Sequence, residues 1–234
     1  MENFFRSGSR EEESEWLSVS DLMAGLMVIF LFIAIVFIRP LAEQNQRIKE
    51  IASTWQENET EIYNALFQEF ETDLTEWNAE IEKDTLLIRF KAPEVLFERG
   101  RAKIRTEFAE ILQNFFPRYV AVLRTYRESL EEIRVEGHTS SVWNQITSPE
   151  EAYFRNMDLS QARTRAVLQN VLGLPEISQE RGWLRPLLTA NGLSSSHLVL
   201  DADGAEDRDR SRRVEFRVKT KARTEIVRIL EEVR

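Results

Sequence analysis

Cysteine is missing from all 234 residues, which rules out a disulfide framework, a thiolate nucleophile, a cysteine-based zinc site and a lipid-modified N-terminal cysteine. Histidine occurs only at His138 and His197, far apart along the chain, and a metal site joining them is not expected. Basic residues are the minority: 31 Lys and Arg against 40 Asp and Glu give a net charge of −9. The chain therefore lacks the cationic excess that displaces counterions from nucleic acid, and no direct nucleic-acid partner is expected. No Ser-His-Asp order, phosphate-binding glycine-rich loop or metallohydrolase spacing is present, so neither enzymatic activity nor a cofactor is expected. Glycine and proline are both absent from Leu41 to Asp84, which removes the usual helix breakers there.

What is present begins with an apolar run from Trp16 to Ile38, about 22 residues, long enough to cross a hydrocarbon core of ~30 Å as one helix. The run exceeds the short apolar core of a cleaved signal, and Pro40-Leu41-Ala42 makes a poor cleavage site, so an uncleaved anchor is expected. Asp21 is the sole ionisable residue between Glu15 and Arg39. It lies roughly 7–8 Å inside the apolar boundary at ~1.5 Å per residue. A carboxylate at such depth usually faces a protein interior or a water-filled path. Helix capping with Ser18 or Ser20 is the bland alternative; an ion-carrying role for Asp21 is the favoured one. Arg6 and Arg10 precede the run and Arg39 follows it, which leans toward a cytoplasmic N-terminus and an exported C-terminal domain.

Residues 1–15 are polar apart from Phe4 and Phe5 and read as a cytoplasmic tail, flexible or ordered by a partner. After the span, residues 39–84 carry Leu41, Ile48, Trp55 and Ile62 at every seventh position, joined by Ile51, Leu66, Phe70, Leu74, Trp77 and Ile81. Such a stripe must enter a coiled coil or fold back on the next domain, and dimerisation is the simpler outcome. A globular domain is expected over 85–220. Strands are read at Thr85–Phe90, Ile133–Glu136, His197–Leu200 and Arg212–Val218, and helices at Phe108–Tyr126 with Pro117 inside, Leu159–Leu172, and Trp183–Asn191 capped by Gly192. Residues 221–234 read as a short amphipathic helix. The order implies an α/β (α+β) domain with helices over one face of a mixed sheet.

Two groups of motifs carry a family resemblance. Asp21-Leu22-Met23-Ala24-Gly25-Leu26-Met27-Val28-Ile29-Phe30-Leu31 resembles the membrane helix of MotB-type stator subunits, written D-x-M-x-x-x-M-x-x-F-L. Val135-Glu136-Gly137-His138-Thr139, Asn156 through Arg163 (N-x-x-L-S-x-x-R) and Arg212-Arg213-Val214-Glu215 resemble, in order and spacing, the OmpA-like peptidoglycan-binding domain of the same stators. The turn Gly137-His138-Thr139-Ser140-Ser141-Val142-Trp143 after Ser20-Asp21-Leu22-Met23-Ala24-Gly25-Leu26 is closer to the ZorB branch, from Zorya anti-phage defence, than to flagellar MotB.

The resemblance implies a single-pass inner-membrane protein acting as a dimer inside a MotA-like (ZorA-like) pentamer. It further implies a proton-driven motor with Asp21 carrying the ion, anchored to peptidoglycan. The alternatives are a flagellar stator subunit or a static wall tether. Asn156, Leu159, Arg163, Ser140 and Arg213 are the implied wall-binding residues. Arg163 suits a ligand carboxylate through its planar two-bond clamp, and free backbone N–H groups are expected near Leu159 at a helix start. The family turn reads G-H-T-D, its Asp pairing the ammonium of diaminopimelate; Ser140 stands in that place here, in a loop longer by roughly eight residues on this alignment. Glu150, Glu151 and Asp158 are candidates to restore the charge. Asp201, Asp203, Asp207 and Asp209 begin with calcium-like spacing but have no closing glutamate, and read as a solvated loop.

Overall fold

The computed structural model describes residues 5–91 and 96–222, together with Thr224 and Arg228. The chain divides into two compact units, Met1–Ser53 with Arg228–Arg234, and Thr54–Val227. The C-terminal helix expected over 221–234 lies almost wholly outside the described residues. Helix α1 (Phe5–Phe70) begins within the segment read as a tail, which is helical from Phe5 onward. Within α1, Val19–Arg39 is long and apolar enough to cross a membrane. Asp21 and the apolar side chains around it are exposed in this chain.

The second unit contains β1 (Ala79–Glu82), β2 (Leu87–Phe90), α2 (Thr106–Thr125), β3 (Leu130–His138), α3 (Pro149–Gly173), the one-turn helix α4 (Arg181–Leu184), β4 (Leu188–Gly192), the one-turn helix α5 (Arg208–Ser211) and β5 (Arg213–Thr220). The strands form one mixed sheet in the order β1-β2-β5-β3-β4. Every neighbouring pair is antiparallel except β3 and β4, which run parallel and are joined by the helical crossover that parallel pairing requires. Strand alternation puts Ile133, Val135, Val214, Phe216 and Val218 into the core under the helices. Phe115 centres an aromatic cluster there, with ring centroids 5.2 Å from Phe90, 5.2 Å from Phe70 and 5.0 Å from Phe216. Helix α2 passes through Pro117 without splitting.

Three expectations change. The region to Asp84 is not helical throughout: α1 stops at Phe70, and β1 supplies a strand in the stretch read as coiled coil. Trp183–Asn191 is not a helix capped by Gly192; its second half is strand β4, with Gly192 as the last residue. His197–Leu200 forms no strand beyond the single bridge of Leu200 to Glu206.

The seven-residue stripe is, from Ile62 onward, a core face. Ile62, Leu66 and Phe70 are 0–1% exposed against their own domain, so a side chain that elsewhere would seek a second helix is already covered. The compact unit accordingly starts at Thr54 rather than Thr85. Arg118 on α2 fastens the end of α1, donating from Nε to Glu69 Oε1 and from Nη2 to the Glu69 carbonyl oxygen, both at 2.6 Å, with its guanidinium over the Phe70 ring. Asn58 Nδ2 and Glu59 Oε1 bond to Ser129 and Thr220 on the domain. Leu66→Ala is therefore expected to lower unfolding stability by about 2–5 kcal/mol. Denaturant melts at two protein concentrations should give the same loss; a loss that shrinks at high concentration would return the stripe to an intermolecular role.

Candidate functional site

The candidate site is built where α3 passes the end of the sheet. Ser148 caps α3, accepting a bond from the Glu151 amide at 3.2 Å, and Pro149 opens its first turn. The helix then runs close over β3 and β4 at two glycines. A Cβ on Gly192 would lie 2.2 Å from the backbone nitrogen of Gln161, and one on Gly137 2.6 Å from Thr164 Cγ2. Ser160 Oγ donates to the Met157 carbonyl and accepts from the Ser194 amide, tying the helix to the chain leaving β4. This placement sets Asn156, Leu159 and Arg163, three and four residues apart, against the turn that follows β3.

A cleft of about 430 Å³ results, lined by Ser140, Asn156, Leu159 and Arg163, and also by Thr139, Val142, Trp143, Phe97, Arg99, Gly100 and Arg212. Asn156 is buried and donates from Nδ2 to the Ser140 carbonyl at 3.0 Å, so it shapes the turn as well as facing the cleft. Leu159 lies in the third turn of α3, not at its start. Its N–H therefore belongs to the helix ladder, and what Leu159 offers is an apolar side chain. Arg163 donates from Nε to the Arg101 carbonyl at 3.0 Å and lies 4.8 Å from the Phe97 ring centroid. No carboxylate among the described residues pairs with it, and burial, reinforced by Arg212, pushes its guanidinium down to about 10.

The Ser140 hydroxyl reaches only the Val142 carbonyl, at 3.4 Å. Neighbouring Thr139 is 3% exposed, and its Oγ1 has no hydrogen-bond partner among the described residues. The extra loop is folded by its own bonds: Asn144 Oδ1 accepts from the amides of Ile146 and Thr147, and Arg155 stands 5.9 Å from the Trp143 ring centroid. None of Glu150, Glu151 and Asp158 lines the cleft; Glu151 pairs with Arg155 at 2.6 Å instead. The carboxylate that does reach the turn is Glu206, which accepts from the Ser141 amide at 2.8 Å and its hydroxyl at 2.5 Å. Sequence spacing offered no signal for Glu206, Phe97 or Arg99. In the acidic loop, Asp201 and Asp207 accept backbone amides as turn and cap residues.

No family model matches the chain. Over 222 residues it is 47% identical to the Zorya protein ZorB of Escherichia coli, covering 95% of this chain and 94% of that one. The chain belongs to the ZorB family. Among solved structures, a MotB-like protein from Desulfovibrio vulgaris superposes with a TM-score of 0.51 at 22% identity, over 74% of this chain and 94% of that one, which shows a common fold. The cell wall anchor of the T6SS from Pseudomonas aeruginosa matches 66% of this chain and 96% of its own, with a TM-score of 0.45 at 25% identity.

In this ZorB-family chain Arg213, expected at the ligand, does not line this cleft, and with Arg163 and Phe97 it borders a smaller pocket. It is 6% exposed on the sheet face away from the helices, with Nε 2.7 Å from Glu215 Oε1 and Nη1 donating to the carbonyls of His197 and Ser211. Arg212, one residue earlier, lines the cleft in its stead. Around Arg213, Arg89 and Arg217 also reach Glu215, while Arg217 and Arg134 reach Glu136. Glu136, His138 and Glu215 could by spacing hold a metal ion, but four guanidinium groups already balance the two carboxylates. His138 Nε2 stands 3.4 Å from Glu215 Oε2, and its ring centroid lies 6.0 Å from that of His197.

Burial pushes the Glu215 carboxyl up, yet His138 and Arg213 outweigh it and hold the group well below the usual carboxylate range. Burial likewise pushes the His138 imidazole down, with Glu215 pulling the other way. Both folded values lie below the unfolded ones, so acid protonates the unfolded chain first and stability falls with pH. The loss is expected to begin as pH drops through 6.5 and to steepen below 4.5, the ordinary values of the two groups. Glu215→Gln leaves the buried Arg213 and the half-buried Arg89 and Arg217 facing a neutral amide, and should cost about 3–5 kcal/mol near pH 7 while flattening the lower step. Denaturant midpoints across this pH range measure both effects.

Proposed function

We propose that this chain is a stator subunit of an inner-membrane, ion-driven motor anchored to peptidoglycan and acting in anti-phage defence. The observation that carries the reading is end-to-end similarity to a Zorya protein, spanning both the apolar helix with Asp21 and the domain with the cleft. In it, Asp21 binds and releases the driving ion, a proton, between this helix and those of a MotA-like (ZorA-like) partner, which surrounds a dimer of this chain as a pentamer. The N-terminus lies in the cytoplasm and the second unit in the periplasm. The membrane potential supplies ~2.3 kcal/mol per elementary charge per 100 mV, enough to bias a conformational cycle when transfer is repeated.

The cleft does the anchoring. Arg163 offers a planar clamp to a peptide carboxylate, Asn156 holds the turn, and Leu159 with Phe97 supplies apolar surface. A guanidinium with no internal carboxylate is suited to an external anion because binding breaks no existing ion pair.

Asp21→Asn keeps size and hydrogen bonding but cannot ionise. Cells carrying it are expected to assemble the complex and retain wall binding, yet lose phage protection in plaque assays. Full protection at normal expression would sink the motor and leave a static tether. Arg163→Ala is expected to weaken sedimentation of the full-length protein with purified sacculi by about 1.5–3 kcal/mol, roughly 10- to 100-fold in affinity. Equal sedimentation of Arg163→Ala and the parent chain would remove the cleft from the wall-binding role.

A further inference from the structure

The lining of the cleft is cationic. Its described lining includes three guanidinium groups, those of Arg99, Arg163 and Arg212, and no carboxylate. Arg212 is paired at the surface with Asp209, whereas Arg99 and Arg163 have no carboxylate partner among the described residues. Of the acids beside the turn and its loop, Glu206 is engaged by two bonds from Ser141, and Glu151 by Arg155. At position 140, where a zwitterionic ligand would meet an acid, a hydroxyl faces the Val142 carbonyl. Beside it the buried Thr139 Oγ1 lacks a partner among the described residues and can donate a hydrogen bond to an anion.

Resting on the wall-binding reading above, we propose that the cleft recognises the carboxylates of the peptide and leaves its ammonium group unread. An ammonium placed among Arg99, Arg163 and Arg212 would meet like charges in a partly desolvated cleft, where repulsion is stronger than in water. A carboxylate would meet the clamp of Arg163, with Arg99 as a second cation within the same cleft. Wall peptides whose amines are already consumed in crosslinks would then bind as well as those with free amines. The longer loop fits this view: it takes up Glu206 as a structural partner and adds Trp143 to the cleft wall, bringing no negative charge to the lining.

The test uses the full-length protein in detergent and three samples of purified sacculi: untreated, with free amines acetylated, and with free carboxyl groups converted to neutral methylamides. Binding is expected to be unchanged within about twofold by acetylation and weakened about tenfold or more by amidation, as loss of a charge-assisted clamp implies. Ser140→Asp, which restores an acid to the turn, is expected to make binding sensitive to acetylation. A variant that stays indifferent overturns position 140 as the determinant. If the parent chain binds untreated sacculi but loses tenfold on acetylation, or is indifferent to amidation, the inference falls while the wall-binding reading stands. Failure to bind untreated sacculi at all overturns both.

Discussion

Two strand positions without side chains set how near α3 comes to the sheet, and the cleft depends on that approach. The contact at Gly192 is with helix backbone, so no change of rotamer could relieve a methyl group there; the helix itself would have to move. At Gly137 the neighbour is a β-branched Thr164 that is itself fully buried, which gives little room either. Held at this distance, α3 can place the Asn156 amide on the Ser140 carbonyl, and the turn is fixed from the helix side. From the other side Glu206 fixes Ser141. The turn is thus braced at consecutive residues before any ligand arrives, which lowers the ordering cost of binding.

Much of this was legible in the sequence where periodicity is local. Helix α2, α3 from Leu159 onward though not its first ten residues, and strands β2, β3 and β5 follow from alternation or from a 3.6-residue repeat, and the motif residues Ser140, Asn156, Leu159 and Arg163 come together around one cleft. What escaped was decided by distant partners. Strand β4 is Leu-Thr-Ala-Asn-Gly, a weak pattern whose strand state comes from pairing in parallel with β3, more than fifty residues earlier. Its terminal glycine looks like a helix cap until α3 is seen lying on it. The stripe on α1 was ambiguous in a different way, because the same spacing serves a coiled coil or a core face, and from Ile62 onward only the presence of Phe90, Phe115 and the rest of the aromatic cluster decides for the latter.

The paired arginines at 212 and 213 show how strand geometry divides residues that a motif joins. Residue 213 opens β5 with its side chain on the face away from the helices, where Glu215 two positions on shares that face and takes its charge. Residue 212 precedes the strand, at the end of a single helical turn, and points to the cleft. A sequence motif records that both positions carry guanidinium groups; it does not record which of them has a carboxylate beside it.

That distinction governs the chemistry available to each. An arginine already bonded to a buried carboxylate would have to weaken that pair to bind an outside anion, leaving Glu215 with fewer of its guanidinium partners in a setting where lost charge compensation is costly. Arg213, Arg89 and Arg217 are held in this way by the buried Glu215 carboxylate, whose charge they compensate, and Arg217 also reaches Glu136. Arg163 bonds only to a backbone carbonyl and rests on an aromatic ring, so its net charge remains unneutralised by any described neighbour. Desolvation raises the free energy of that isolated charge, and an incoming carboxylate lowers it again. The gain on binding is therefore larger than for a guanidinium in open water, and it is directed to anions alone.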